Sequence, residues 1–265
     1  MNAYLLRMAD VIVKIAVTVA ALLFWPMTAS AQVDVLMSGG FTGAYEKLLP
    51  EFERISGIKV TTGSGASQGD GPQTIKAQLA RGVHADVVIL SREGLTELIA
   101  ANRIVPGTDV DLAQVPLGVA VRAGTPKPDV STVDSFKQLL LKSKMIAMPG
   151  STSGIWLKTD LFPRLGIAEK INSKMTPRGR EATAMVAAGD ADLAVMPVSE
   201  IVAAEGVELA GILPLKIQFI QTFSAAVVAG AKEIEAPKKL IEFLASPHAS
   251  MAIRNSGMEP LAASN

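Results

Sequence analysis

Residue types suited to holding an anion fall at four places in this sequence. Ser38, Gly39, Gly40 and Phe41 form a turn after a short apolar run. Glycines there let the backbone approach a ligand, and a helix N-terminus behind them supplies bare N–H groups and partial positive charge. Residues 63–71 (GSGASQGDG) carry Ser64 and Ser67; a solvated linker has the same composition. Residues 149–154 (PGSTSG) carry Ser151, Thr152 and Ser153, one of which is expected to N-cap the next helix. Arg178 and Arg180 stand at the start of a helical pattern, where a cation opposes the helix dipole unless it serves something else. Their forked donors suit a carboxylate or phosphate, with Arg180 the favoured of the two. Ser199 is read as the cap of a later helix. Glu200 then fits ordinary first-turn electrostatics, with a general-base role as the lesser reading.

Other chemistries lack their residues. There is no cysteine, hence no disulfide framework and no thiol. His84 and His248 are the only histidines. Neither has a second His or a Cys nearby, and His84 precedes a strand, the wrong end for a ligand cleft. No metal site and no cofactor are expected. Neither a Gly-x-Ser-x-Gly elbow nor a Gly-Lys-Ser/Thr phosphate loop occurs. With 25 basic and 25 acidic residues, the chain has no excess charge for nucleic acid, although local groups can still bind a small anion. Trp156 reads as core.

The elements that must hold these residues begin after an expected leader. Arg7 and Lys14 flank the approach to an apolar stretch over 15–24, and Ala29-Ser30-Ala31 is a small-x-small cleavage site. Residues 1–31 are therefore read as a signal peptide cut at Ala31/Gln32, with the mature chain in the periplasm. The apolar stretch is short of the about 20 residues a bilayer span needs, and no membrane span is expected in the mature chain. Strands over 33–37, 58–62 and 86–90 alternate with helices over 45–55, 74–80 and 94–101, the pattern of a parallel sheet. A long apolar strand over 115–122 follows. Then come helix 133–142, strand 145–148, helices 155–165 and 180–188, strand 192–195 and helix 199–204. A second long β run covers 216–228, before helices 237–244 and 247–255. Two long strands bracketing a middle β/α unit predict an α/β fold of two lobes joined by a two-strand hinge. Lobe 1 is read as 32–116 and 225–265, lobe 2 as 117–224. Ligands of such sheets sit beyond the carboxyl ends of the strands, where the Ser/Gly loops fall.

The mature chain resembles periplasmic solute-binding proteins of the molybdate-binding type, the type 2 partners of ABC importers. The residues that carry the resemblance are the Ser38–Phe41 turn, Ser56-Gly57-Ile58-Lys59-Val60, Gly82-Val83-His84-Ala85-Asp86-Val87, Ala188-Gly189-Asp190-Ala191-Asp192 and Phe243-Leu244-Ala245-Ser246-Pro247. The resemblance implies two mainly parallel lobes, a cleft that closes over solute, an ABC permease as partner and a monomer. Three features depart from the molybdate pattern. Gly40 stands where that type has Ser, the 63–71 loop is longer, and the family's binding Tyr falls at Pro197. An organic carboxylate held by Arg178 or Arg180 is therefore expected in place of molybdate, with extra room above the Gly-Gly turn. The chain is also similar to a branch with SGGF and S-x-SG turns that includes aconitate isomerases. That similarity implies an alternative: moving a double bond in a tricarboxylate by proton transfer, with Glu200, Tyr45 and Ser153 as candidate catalytic groups. Anion capture is the primary expectation, isomerisation the alternative.

Overall fold

The computed structural model describes residues 31–261, so the expected leader falls outside the described residues apart from Ala31. Val33, Val35 and Met37 point into one core from β1 (Gln32–Met37), the two-residue period of a strand. Helix α1 (Thr42–Ser56) presents Ala44, Tyr45, Leu48 and Phe52 to the same core. It stops at Gly57, whose φ of 70° is the left-handed cap glycine favours. The chain continues through β2 (Lys59–Ser64), α2 (Ile75–Ala80), β3 (Val87–Ser91) and α3 (Arg92–Ala100). β1 pairs in parallel with both β2 and β3. Thr74 and Ser91 cap α2 and α3 through their hydroxyl oxygens.

Strand β4 (Val110–Arg122) is the longest and serves two sheets. After it come α4 (Val133–Lys142), β5 (Ile146–Pro149) and α5 (Thr152–Trp156), which continues through a π turn over Leu157–Leu161 to Phe162–Arg164. Next are β6 (Ser173–Thr176), α6 (Gly179–Ala188), β7 (Leu193–Pro197), α7 (Val198–Val202) and β8 (Val207–Ile212). β9 (Ile220–Val227), α8 (Glu235–Ala245), α9 (Ser250–Arg254) and β10 (Glu259–Pro260) complete the order. Val110 to Pro116 of β4 pair antiparallel with β9, which also pairs with β3. From Leu117 onward β4 instead pairs with β7 and β8, and β5 joins β7 and β6 in parallel. The strand order is thus β2-β1-β3-β9-β4-β7-β5-β6. One lobe packs around Phe41, Phe52 and Leu240, the other around Phe136, Leu157 and Phe162. At the crossover the Gln218 side chain accepts from the Leu117 N–H at 2.8 Å and donates to the Leu117 and Leu213 carbonyls.

The expected two-lobed α/β fold is the one observed, with differences in detail. β6 and β8 were not foreseen: Ser173–Thr176 and Val207–Ile212 are short and only partly buried, so neither carries a strong apolar pattern. The long β run expected over 216–228 is a 3-10 turn at Leu215–Ile217 followed by β9 from Ile220. Ser151 occupies the N-cap position of α5 without making a cap bond. Pro197, not Ser199, is the N-cap of α7. No described helix is long and apolar enough to cross a membrane.

Candidate functional site

The carboxyl ends of β1, β3, β5 and β7 converge on the space between the lobes. The turn after β1 is fixed by the Ser38 N–H, which donates to the Ile89 carbonyl at 2.8 Å. The loop after β2 is fixed by Ser67 Oγ, which accepts from the Ser91 N–H at 2.9 Å. Three hydrogen bonds then cross between the lobes. The Gln68 N–H donates to Ser151 Oγ at 3.3 Å, the Ser91 and Thr152 hydroxyls lie 2.7 Å apart, and Arg178 Nη1 donates to Ser64 Oγ at 2.7 Å. The cavity between these loops is narrow, with about 20 Å3 of room, and it opens outward into a space of about 460 Å3.

Ser38, Gly39, Gly40, Ser67, Ser151, Thr152, Ser153 and Arg178 all line this cavity. Ser64 and Arg180 border its wider outer continuation. Phe41 is buried in the core of the first lobe, and Ser199, also buried, is absent from both linings. Tyr45 lies away from the cavity as well. Its hydroxyl meets that of Thr62 at 2.8 Å, and burial pushes the phenol up to about 12. The arginine preference is reversed: Arg180 has a 74 % exposed side chain paired with Glu181, whereas Arg178 is 21 % exposed and reaches the cavity. The room expected above Gly40 is also taken. A Cβ there would overlap the Phe223 ring, so Gly40 is a seat for that ring.

Three lining residues escaped the sequence reading, Gly179 at the start of α6 and Gln221 and Phe223 on β9. The signal for Gln221 was a polar residue at a core-facing register position of an apolar strand. Its Oε1, together with Ser38 Oγ and Arg178 Nε, is buried without a hydrogen-bond partner. Orphaned buried polar atoms are rare in native folds. Three around one cavity mark groups arranged for something other than each other.

Glu200 also faces this space. It sits in the first turn of α7, after β7, and its carboxyl packs against glycines on both sides. A Cβ on Gly39 would stand 2.8 Å from Oε2, and one on Gly179 would overlap the carboxyl outright. The residue as a whole is half-buried, but its carboxyl is desolvated and receives no hydrogen bond from the described residues. That burial, with a smaller push from the Glu181 charge, raises it to about 7. Burial also works to raise Glu181, but the Arg180 hydrogen bond and the Arg178 charge outweigh it and hold Glu181 below the usual carboxylate range. The site therefore pairs a carboxyl poised near neutrality with a guanidinium and the N-terminal amides of α6. Groups of this kind recur where protons are moved and anions held.

The comparisons with known proteins agree with this architecture. The profile described as bacterial extracellular solute-binding protein matches residues 33–259. An aconitate isomerase from a Pseudomonas species is 37% identical over 243 residues, covering 90% of this chain and 92% of the relative. The sulfate-binding protein SubI of Mycobacterium tuberculosis superposes with a TM-score of 0.71 at 22% identity, covering 87% of each chain. The periplasmic molybdate-binding protein of Azotobacter vinelandii gives 0.65 at 20% identity, covering 85% of this chain and 98% of its own. At such identities the solved structures speak for the fold alone, that of type 2 periplasmic binding proteins. With its matched span and its two strand-linked lobes, this chain belongs to the bacterial extracellular solute-binding protein family.

Proposed function

We propose that the chain binds a small organic polycarboxylate between its lobes and isomerises it by proton transfer, in the manner of an aconitate isomerase. The observation that carries this reading is Glu200, a desolvated carboxyl raised to about 7 inside an anion-type cavity. A general base works best when its pKa lies near the operating pH. The 37% identity to an aconitate isomerase supports the same reading. In the proposed step Glu200 removes a proton from the methylene carbon beside a carboxylate. The electron pair moves into the adjacent C–C bond, the double bond shifts by one position, and the proton returns to the far carbon. No electrons are gained or lost, so neither oxidant nor reductant is needed. Charge developing on the carboxylates is met by Arg178, the α6 amides and the hydroxyls of Ser38 and Ser153, groups preorganised away from bulk water.

The test is incubation of purified protein with trans-aconitate while the isomer ratio is followed by NMR in deuterated water. A shift of the ratio with deuterium entering the product is expected. An unchanged ratio after long incubation overturns the isomerase reading.

A second reading is favoured by the family itself: periplasmic capture of an organic anion for an ABC permease, without turnover. It predicts stoichiometric binding, recovery of the ligand unchanged, and about 2.7 kcal/mol of added stability at one hundred times the dissociation constant. Failure of every carboxylate and oxyanion in a thermal-shift panel would exclude it.

A further inference from the structure

Outside the cleft, three side chains of metal-ligand type meet at the opposite end of the first sheet. Asp34 lies on β1, Asp86 directly precedes β3, and His84 leads into that strand. Parallel pairing sets the two aspartates side by side. The Asp86 N–H donates to the Asp34 carbonyl at 2.7 Å, and the Asp34 N–H donates to Asp86 Oδ2 at 2.9 Å. His84 Nε2 stands 3.3 Å from Asp86 Oδ1 and 3.6 Å from Asp34 Oδ2. One ligand atom from each residue lies within 4.8 Å of the other two. Three atoms bound about 2.0–2.2 Å from one tetrahedral ion would be about 3.4 Å apart, so small side-chain shifts suffice.

The buried member of the trio supplies an independent reason. Asp86 is 4% exposed, and its Oδ1, turned towards His84, accepts no hydrogen bond. Leaving a desolvated carboxylate oxygen without a donor is costly, and a second carboxylate beside it adds repulsion. Histidine supplies a cation there only in its protonated form. A divalent ion supplies that charge with the imidazole neutral, and its lone pair becomes a bond to the ion. The Asp34 N–H on Asp86 Oδ2 already orients that carboxylate, as outer partners of metal ligands do.

We propose that Asp34, His84 and Asp86 form a divalent transition-metal site of the zinc kind, which one imidazole and two carboxylates suit. It would clip β1 to the entrance of β3, remote from the cleft. The proposal departs from the expectation of no metal site, which looked for a second His or a Cys near each histidine. The ligand that completes the set comes from another strand.

The proposal does not depend on the isomerase reading. Its test is a calorimetric titration of Zn2+ into chelator-treated full chain. One equivalent is expected to bind with micromolar or tighter affinity and to raise Tm. His84→Ala, an exposed position, should weaken binding at least tenfold without changing the circular dichroism, and Asp34→Asn should do the same. His248, 2.8 Å from Glu51, provides the control. Absence of saturable binding overturns the proposal. So does binding that survives His84→Ala, or binding lost in His248→Ala instead.

Discussion

Glu200 makes its pH behaviour testable in two ways. Its carboxyl is raised from an ordinary 4.5 to about 7 in the folded chain, so the folded state holds this proton more tightly than the unfolded one. The associated stability is full below about pH 4.5 and is lost as pH rises through about 7, by on the order of 3 kcal/mol. Glu200→Gln keeps the shape and removes the titration. The variant should unfold at higher urea than wild type at pH 8, and the gap should close by pH 4. For the proposed reaction, kcat/KM in wild type should rise with pH through about 7. Glu200→Gln should lower kcat by about 10^2 to 10^4, the usual contribution of a general base. The two arginines separate just as cleanly. Arg178→Ala should cost about 1.5–3 kcal/mol of ligand binding, read by calorimetry, because it removes a charged donor from the cavity. Arg180→Ala should cost about 0–1 kcal/mol, the range of an exposed pair. Composition alone did not distinguish them. Both stand beside the start of one helix, and only the path of the backbone turns one inward.

Among the elements, α6 carries the sharpest constraint. Gly179 opens that helix, and the Glu200 carboxyl fills the place of a side chain on it. Gly179→Ala should expel the carboxyl and lower activity more than tenfold, while circular dichroism shows the helices intact. Equal activity would mean that the carboxyl has room elsewhere. The strand-end loops were legible in the sequence because Ser and Gly cluster after apolar runs at 38–41, 63–71 and 149–154. The raised carboxyl was not. Glu200 sits in a first helical turn, where glutamate is unremarkable, and its burial comes from two glycines on other elements. Tyr45 misled for a related reason. Its helix was foreseen, but starting at Thr42 the helix directs the phenol into the core beside Thr62. Any redesign of the site towards a small oxyanion must also treat Gly40 and Phe223 together. A serine at Gly40 collides with the ring unless Phe223 has first been reduced to a smaller side chain.

Across the whole molecule, alternation of β and helical patterns was enough to foresee two lobes and two crossings, since each lobe repeats the same βα logic. β6 and β8 stayed hidden because half-exposed edge strands carry little apolar signal. At the crossing the Gln218 side chain ties Leu117 to Leu213, beside the backbone bond from the Leu213 N–H to the Leu117 carbonyl. β4 adds a further consequence. Its first half completes one sheet and its second half completes the other, so the lobes share a component that neither can give up. An excised middle segment would keep only half of β4, a cut strand whose loose end invites pairing with other chains. The lobes should therefore melt as one. Scanning calorimetry should give a single transition with calorimetric and van't Hoff enthalpies in agreement, whereas two resolved transitions would show independent lobes. In engineering terms the molecule is a single part: the cleft can be refitted, but neither half can be lent to another scaffold without rebuilding the strand they hold in common.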